Sequence, residues 1–235
     1  MRLAVLSLAL LAFVAPRVAA QNPRLRAPNT APMLAGIDAA SVRYADVARL
    51  IWQFAEVGYQ EVKSSALLQS ELKAAGFSVK DGIAGEPTAF VAEFGSGKPV
   101  IALLGEFDAL PGLSQDSVPV RRPLRAGGAG HGCGHHLFGT ASVASAIALK
   151  QWMQANGVKG TLRMIGAPAE EGGSGKVFMV RDGVFGDVDA VIVWHPGSDN
   201  VVDGSVSLAN ISGKFRFHGV AAHASGSPER GRSAL

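Results

Sequence analysis

Length and composition describe a globular protein with a sizeable hydrophobic core. Of its 235 residues 48% are hydrophobic and 17% charged, which excludes a disordered chain, and no collagen-like or heptad repeat is present. The net charge is only +3, and two basic residues, Arg2 and Arg17, lie among the first twenty. Because no Lys/Arg cluster marks the remainder, we expect no nucleic-acid partner. The 29 glycines are typical of an α/β protein with many tight loops.

The first twenty residues have the pattern of a secretory signal peptide. Arg2 precedes a short apolar run, residues 3–14, and small residues end the segment at Ala20. The run is shorter than the ~20 residues that a spanning helix needs, and Pro16 and Arg17 end it, so an uncleaved anchor is disfavoured. We expect an exported protein, periplasmic or secreted, with a mature start near Gln21 and no membrane partner after cleavage.

Helical and strand-like patterns alternate along the rest of the chain. Residues 21–34 resemble a flexible lead-in. Periodicity predicts helices at 41–56 (with Ser41 as N-cap), 61–75, 137–153 and 176–181, and strands at 89–94, 100–104, 161–165 and 190–194. This order predicts an α/β fold whose sheet is mixed, mainly parallel and covered by helices. We assign residues 35–205 to one domain, and the longer alternation at Val206, Leu208, Phe215 and Phe217 to the beginning of a second, at 206–235.

Two glycine-rich segments imitate a phosphate-binding loop without completing it. Lys176 follows three glycines but precedes Val177, and Lys98 precedes Pro99, so neither segment has the Ser/Thr that would hold magnesium. No GxSxG nucleophile motif surrounds Ser174 either. The sequence therefore predicts loops at these places and no nucleotide site.

The most informative segment is residues 129–136, Ala-Gly-His-Gly-Cys-Gly-His-His. It holds three histidines and the only cysteine, Cys133, between an apolar strand and a long helix. In open α/β sheets that junction is where ligands bind. Cys133 and His135 are two residues apart, so an extended backbone turns both side chains to one side. Thiolate and imidazole are good ligands for zinc and neighbouring transition metals, although such a segment alone is also compatible with a surface loop.

Three other predicted strands end in residues that can bind metal. Asp108 follows strand 100–104, Glu170 and Glu171 follow strand 161–165, and His195 ends strand 190–194. Each residue singly is better explained as a solvated turn or a core histidine. Together with residues 129–136 they place acids, imidazoles and a thiol at four element ends, which favours a metal site.

Five segments together resemble the peptidase M20 family of metallohydrolases. They are residues 105–115, 130–142, 168–185, 193–196 and 221–235, and the opening 54–61 matches as well. Within that family the chain is similar to the amidohydrolase branch, near the aminobenzoyl-glutamate utilisation B group. The resemblance covers residues 35–235. It implies that 35–205 is the N-terminal part of a metallohydrolase catalytic domain and 206–235 the start of a lid and dimerisation domain.

The resemblance also implies a role for each site residue. Cys133, His135, Glu171 and His195 would bind metal, two ions per site, of zinc, manganese or cobalt. Glu170 would be the general base, and Asp108 would orient the ligands from behind. His223 would stabilise the developing oxyanion in a neighbouring subunit's site, which implies a homodimer.

Two departures from the family pattern bear on these roles. His136 stands where relatives often have Asp or Asn, so its role is open between outer partner and extra ligand. The chain also ends before the remainder of the lid and before the family's last metal-binding histidine. We expect the 235-residue chain to be a fragment or truncated product, inactive by itself if that histidine is required.

The reaction implied is hydrolysis of the amide bond in an N-acyl or N-aroyl amino acid, with p-aminobenzoyl-glutamate as the leading candidate. Adjacent side chains at a strand end point different ways, so Glu171 would face the ions and Glu170 the substrate, accepting and returning a proton. Arg216 and Arg232 could bind a substrate carboxylate but fit surface roles better. The alternatives are an M20-type dipeptidase or carboxypeptidase, a non-catalytic metal-binding remnant, and thiol catalysis by Cys133.

Overall fold

A computed structural model describes residues 29–202, 204, 206, 209 and 211–234. It divides the chain into two units, Met1–Pro196 and Gly197–Leu235. The predicted signal peptide, the mature start at Gln21 and Leu208 lie outside the described residues. Among the described helices, none is both long enough and apolar enough to cross a bilayer.

The helices of the first unit occur where the sequence predicts them, with one addition. They are α1 (Ala31–Ala39), α2 (Ser41–Phe54), α3 (Val62–Ala74), α4 (His135–Asn156) and α5 (Gly175–Arg181). Helix α1 includes residues 31–34, which the sequence placed in the lead-in. Proline in its first turn is compatible with a helix start, and the Trp152 indole on α4 donates to the Asn29 carbonyl just before it. Ser41 is not the N-cap, since Ala40 takes that position without a side-chain hydrogen bond.

The sheet is mixed and has five strands. They are β1 (Ser78–Asp81), β2 (Phe90–Ser96), β3 (Val100–Glu106), β4 (Gly160–Ala167) and β5 (Ala190–Ile192), in the order β1-β2-β4-β3-β5. Strand β3 pairs in parallel with β4 and β5, whereas β1–β2 and β2–β4 are antiparallel. The α/β prediction is confirmed, and β1 is a strand that the sequence did not predict. The parallel half brings the carboxyl ends of β3, β4 and β5 to one edge.

Both faces of the sheet are covered, as the apolar run of β3 predicts. On one face Leu103, Leu162 and Met164 pack with helix residues such as Ile51, Leu68 and Val143. On the other face Ala102, Leu104 and Ile165 pack with Met179 of α5. Successive strand residues therefore pack into the cores on opposite faces of the sheet. This fixes the register of β3 against β4, and hence the positions of the residues that follow each strand.

The turn into α4 requires a glycine. Gly134 has φ +86°, and a Cβ there would lie 3.1 Å from the Pro196 ring. This close approach lets the segment before α4 pass beside the end of the β5 segment.

The second unit has little regular structure among its described residues. Val220 and Arg232 form one antiparallel bridge, and Pro228–Arg230 form a short 3-10 turn. Phe215 and Phe217, predicted to begin a β-rich element, are exposed and lie in no strand. The predicted domain boundary at residue 205 stays a prediction.

Glu86, between β1 and β2, is a buried carboxylate whose removal should stabilise the protein. It is 4% exposed, and neither oxygen has a hydrogen-bond partner among the described residues. Burial raises its pKa, the nearby Tyr59 hydroxyl opposes that shift in part, and the charge of Glu61 adds to it. The folded state therefore keeps a proton that the unfolded state releases near pH ~4.3, and stability falls as the pH rises from there through the raised pKa.

Glu86→Gln should raise the free energy of unfolding at pH 7 by about 1–3 kcal/mol, because an unpaired charge leaves the interior. The melting temperature should rise by about 2–8 °C at pH 7 and by less at pH 4, where the wild-type carboxyl is already protonated. Thermal melts of both proteins at the two pH values measure this. An unchanged or lower melting temperature at pH 7 would contradict the burial argument.

Candidate metal centre

Four segments bring the predicted site residues to one edge of the sheet. Asp108 follows β3, Cys133 and His135 lie at the start of α4, Glu170 and Glu171 follow β4, and His195 follows β5. Two groups of three side chains place potential ligand atoms within 4.8 Å of one another: Cys133, His135 and His195, and Glu106, His135 and Glu170. His135 belongs to both groups, so it lies at the centre of the cluster.

His135 is fully buried and its ring is held by Asp108. Its Nδ1 lies 2.8 Å from Oδ1 of Asp108, so the ring N–H donates there and Nε2 is the ring atom left to bind a metal in the neutral form. That Nε2 atom is buried, has no hydrogen-bond partner among the described residues and lies 3.0 Å from Oε2 of Glu106. Burial lowers the pKa of His135, but the hydrogen bond and charge of Asp108, with Glu106 and Glu171, outweigh it and the net pKa is raised.

His195 presents the same tautomer to Cys133. Its Nδ1 lies 2.8 Å from the Pro196 carbonyl oxygen, an acceptor, so the proton is on Nδ1 and the unprotonated Nε2 accepts from the Cys133 thiol. Nε2 lies 3.4 Å from the Cys133 sulfur. Phe138 packs edge-on against the rings of both His195 and Trp194 and so orients this segment. Two imidazoles thus aim Nε2 lone pairs into one cluster.

Glu170 and Glu171 lie on either side of His135. Oε2 of Glu170 is 3.9 Å from Nε2 of His135, and its side chain is 42% exposed. Oε1 of Glu171 is 3.9 Å from Nδ1, with the side chain 15% exposed. Asp108 fixes this turn too, because its Oδ2 accepts the Glu171 backbone N–H at 2.9 Å. Asp108 therefore orients a histidine and the acid-bearing turn at once, which fits its predicted positioning role.

The charges of the cluster fit a divalent cation. Four carboxylates, of Glu106, Asp108, Glu170 and Glu171, surround His135, and among the described residues Lys176 pairs with Glu106. When the His135 ring is neutral, its Nε2 and Oε2 of Glu106 are both hydrogen-bond acceptors and repel each other. A bound cation would remove that repulsion. Oε1 of Glu171 is likewise buried without a partner in the described chain. Thiolate, imidazole and carboxylate together are a donor set for zinc-like metals.

The environment of Cys133 opposes its use as a nucleophile. Burial and the charges of Glu171, Glu170 and Glu106 raise the pKa of the thiol to about 11. Reactive cysteines lie in electropositive surroundings, which is the reverse of this cluster.

Glu106 and Lys176 are two site residues that sequence reasoning missed. Glu106 ends β3 two residues before Asp108, so the alternation of a strand was the available signal. The Lys176 ammonium lies 2.5 Å from Oε1 of Glu106. Lys176, which lies in the segment that resembles a phosphate-binding loop, therefore pairs with the Glu106 carboxylate.

Four other residues were considered as functional candidates from the sequence. His136 packs against the His131 ring at 5.1 Å, and its buried Nδ1 has no partner in the described chain. His223 belongs to the second unit, where its Nδ1 accepts the backbone N–H of Gly226 at 3.0 Å. The side chains of Arg216 and Arg232 are exposed. The roles assigned to these residues stay predictions.

Comparison with known proteins decides the family. Residues 102–227 match Peptidase family M20/M25/M40. The chain belongs to this family. The matched region contains Asp108, Cys133, His135, Glu171 and His195, so the resemblance seen in the sequence is confirmed.

Relatives within the M20 family extend the comparison. The chain is 52% identical to a p-aminobenzoyl-glutamate hydrolase subunit of Escherichia coli (strain K12) over 200 residues, 85% of this chain and 42% of the relative. It is 31% identical to the Xaa-Arg dipeptidase of Mus musculus, covering 85% of this chain and 45% of that protein. The chain thus spans less than half the length of these relatives.

Solved structures of the family share the fold. The Bacillus subtilis YXEP protein, described as a dinuclear metal binding peptidase from M20 family, matches with a TM-score of 0.60 at 29% identity, covering 69% of this chain and 44% of that one. An aminobenzoyl-glutamate utilization protein from Klebsiella pneumoniae matches with a TM-score of 0.58 at 23% identity, covering 86% and 57%.

Proposed function

We propose that this chain forms the metal-binding part of a hydrolase that cleaves the amide bond of N-acyl or N-aroyl amino acids. The observation that carries the proposal is His135, a buried imidazole fixed by Asp108 that shares one cluster with Cys133, His195 and the acids after β4. The 52% identity to a p-aminobenzoyl-glutamate hydrolase subunit makes p-aminobenzoyl-glutamate the leading substrate.

Two divalent ions, of zinc, manganese or cobalt, would be held by the two overlapping groups of potential ligands, and Nε2 of His135 would bind one of them. Cys133, His135, Glu171 and His195 would hold the ions, and Glu106 is an additional candidate ligand. Such ions, when bound, supply Lewis acidity that polarises the amide carbonyl and lowers the pKa of water from ~15.7 towards ~7.

The chain's own acids would provide proton transfer and orientation. Glu170 is the more exposed of the adjacent pair, so it can face substrate, accept a proton from the attacking water and deliver one to the leaving amine. Asp108 holds the His135 ring and the Glu171 backbone, which keeps the ligand atoms from rotating away. Lys176 balances the charge of Glu106 beside them.

Removing metal tests the proposal. In the complete product of the reading frame that encodes this chain, chelation should lower p-aminobenzoyl-glutamate hydrolysis by at least about 100-fold. Zinc, manganese or cobalt should restore it, and the assay follows release of p-aminobenzoate. Hydrolysis that persists in metal-free protein would contradict the proposal. Metal binding without hydrolysis would favour a non-catalytic remnant.

A dipeptidase is the second candidate function, because the chain is 31% identical to an Xaa-Arg dipeptidase. Comparing kcat/KM for p-aminobenzoyl-glutamate with that for dipeptides ending in arginine separates the two substrates.

Export and dimerisation complete the proposal. The apolar run at residues 3–14 supports cleavage of a signal peptide before Gln21. Amino-terminal sequencing of the protein recovered from the periplasm or medium should begin near Gln21, and a cytoplasmic protein that retains Met1 would contradict export. Dimerisation and the role of His223 rest on the family resemblance of residues 221–235, and sedimentation of the complete product tests the dimer.

A further inference from the structure

Glu61 is a buried carboxylate for which the mechanism above has no use. It lies at the N-cap of α3 and its exposed fraction is 0%. Oε1 accepts the backbone N–H of Ala169 at 2.8 Å, and Oε2 accepts the Thr88 hydroxyl at 2.9 Å. Its charged neighbours in the described chain are other acids, Asp108 and Glu86, and burial raises the pKa of Glu61. A buried acid without a cation costs stability, so its presence needs another reason.

The Ala169 N–H that Glu61 binds begins the acid-bearing turn. Strand β4 ends at Ala167, and Ala169 immediately precedes Glu170 and Glu171. Ala169 has φ +56°, a left-handed conformation that is strained for a residue with a Cβ. Without a partner for its N–H the backbone would relax towards ordinary φ values. The Glu61 carboxylate therefore opposes a rotation that would turn both glutamates.

The α2–α3 connection, residues 55–61, holds the same turn at a second point. The Tyr59 hydroxyl donates to the Gly173 carbonyl at 2.7 Å, four residues beyond Ala169. A Cβ on Gly58 would lie 2.8 Å from the Ala169 Cβ, so only glycine lets the connection approach so closely.

The connection also reaches the turn that carries Asp108. Val57 bridges Ala109, and the Ala109 N–H donates to the Glu56 carbonyl at 2.8 Å. Asp108 is the preceding residue. The α2–α3 connection thus contacts both acid-bearing turns of the metal centre. Among the described contacts, Glu61 is the one side chain of this connection that accepts a backbone N–H of the turn before Glu170.

We propose that Glu61 is a positioning residue, whose carboxylate fixes the Ala169 backbone and thereby aims Glu170 and Glu171 at metal and substrate. This inference rests on the proposed function for its catalytic consequence. Its structural consequence, order in the turn 169–173 and tight metal binding, can be measured without turnover. If Glu61 had only a structural role, substituting it would change the melting temperature but would leave the order of the turn and the metal affinity of the folded protein unchanged.

The decisive variants are Glu61→Asp and Glu61→Gln in the complete product. Aspartate keeps the charge but is one methylene too short to reach Ala169, whereas glutamine keeps an acceptor oxygen at full reach and can donate to Thr88 with its amide. Glu71→Asp on the same helix is the matched control, because Glu71 is a buried acid that pairs with Arg43.

Glu61→Asp should weaken metal affinity and lower kcat by about 10–100-fold each, with KM little changed, as for other residues that orient metal ligands. Amide hydrogen exchange in peptides covering residues 169–173 should become faster. Glu61→Gln should return metal affinity, kcat and exchange to within about threefold of wild type, because the acceptor is restored.

Three results would overturn the inference: wild-type metal affinity and exchange in Glu61→Asp, equal losses in Glu61→Gln, or the same losses in Glu71→Asp. If the wild-type product hydrolyses no amide, the proposed function fails, and metal affinity and exchange still decide the role of Glu61. If the wild-type product hydrolyses amides and the Glu61→Asp variant does so at the same rate, the inference fails and the proposed function stands.

Discussion

Glu170→Gln should lower kcat for amide hydrolysis by about 10²–10⁴-fold while metal content stays at the wild-type level. Glutamine keeps the size of the side chain and one acceptor oxygen, but its amide cannot take up a proton as a base does. The side chain of Glu170 is 42% exposed at the edge of the cluster, which suits a group that meets substrate. Steady-state kinetics and elemental analysis of the purified complete product measure the two quantities.

Two companion variants make this test specific. Glu171→Gln should lose metal as well as activity, since Glu171 is the predicted ligand with a buried, unpartnered oxygen in the described chain. Asp38→Asn, an exposed acid on α1, should change neither quantity. The geometry also groups Glu170 with Glu106 and His135 as potential ligands. Metal loss in Glu170→Gln would therefore reassign Glu170 as a ligand, and wild-type turnover would remove it from the mechanism.

His135→Asn should abolish tight metal binding, with affinity weakened by at least about 100-fold and hydrolysis lost with it. Asparagine places an amide nitrogen close to the Nδ1 position, so the donor to Asp108 is retained while the Nε2 ligand atom is removed. Nε2 of His135 is the buried ligand atom common to both groups, so either arrangement of ligands would lose it in this variant. Isothermal titration with zinc or manganese into metal-free protein measures the affinity.

His131→Asn is the matched control for this experiment. His131 comes from the same segment, belongs to neither ligand group, and its Nε2 contacts the Ile51 carbonyl at 3.1 Å. The metal affinity of the His131→Asn variant should remain within a few-fold of wild type. Equal losses of affinity in His131→Asn and His135→Asn would indicate a general disturbance of the segment. Unchanged affinity in His135→Asn would exclude His135 from the metal centre.

The sequence predicted the elements of the first unit because their signals are local. The continuous apolar run of β3 and the 3.6-residue periodicity of α2 and α4 come from residues that face a core, and the core exists where they predict it. The strand β1 was missed because its residues are mostly exposed and show no apolar pattern. Helix α1 has no buried residue, so nothing in its own pattern separates it from a lead-in.

The site shows the same division. The Glu170–Glu171 pair and His195 carried a signal because each follows an apolar strand, and Cys133 and His135 did so because they cluster with other histidines just before a helix. Glu106 and Glu61 carried none, since a glutamate before a turn and a glutamate at a helix start are ordinary surface residues in a sequence. Glu106 matters because it lies beside His135, 29 positions along the chain, and Glu61 because it accepts the N–H of Ala169, 108 positions along.

By itself the sequence determined the chemistry of this protein: an α/β chain with a thiol, imidazoles and carboxylates at the ends of successive elements. Only the tertiary structure decided which of these groups share a centre, which nitrogen of each imidazole is free and which buried acids hold the turns from behind. The physical reason is that residue type and local periodicity are properties of neighbours in the chain. Tautomer, charge balance and backbone restraint are instead set by contacts between segments that the parallel pairing of β3, β4 and β5 brings together.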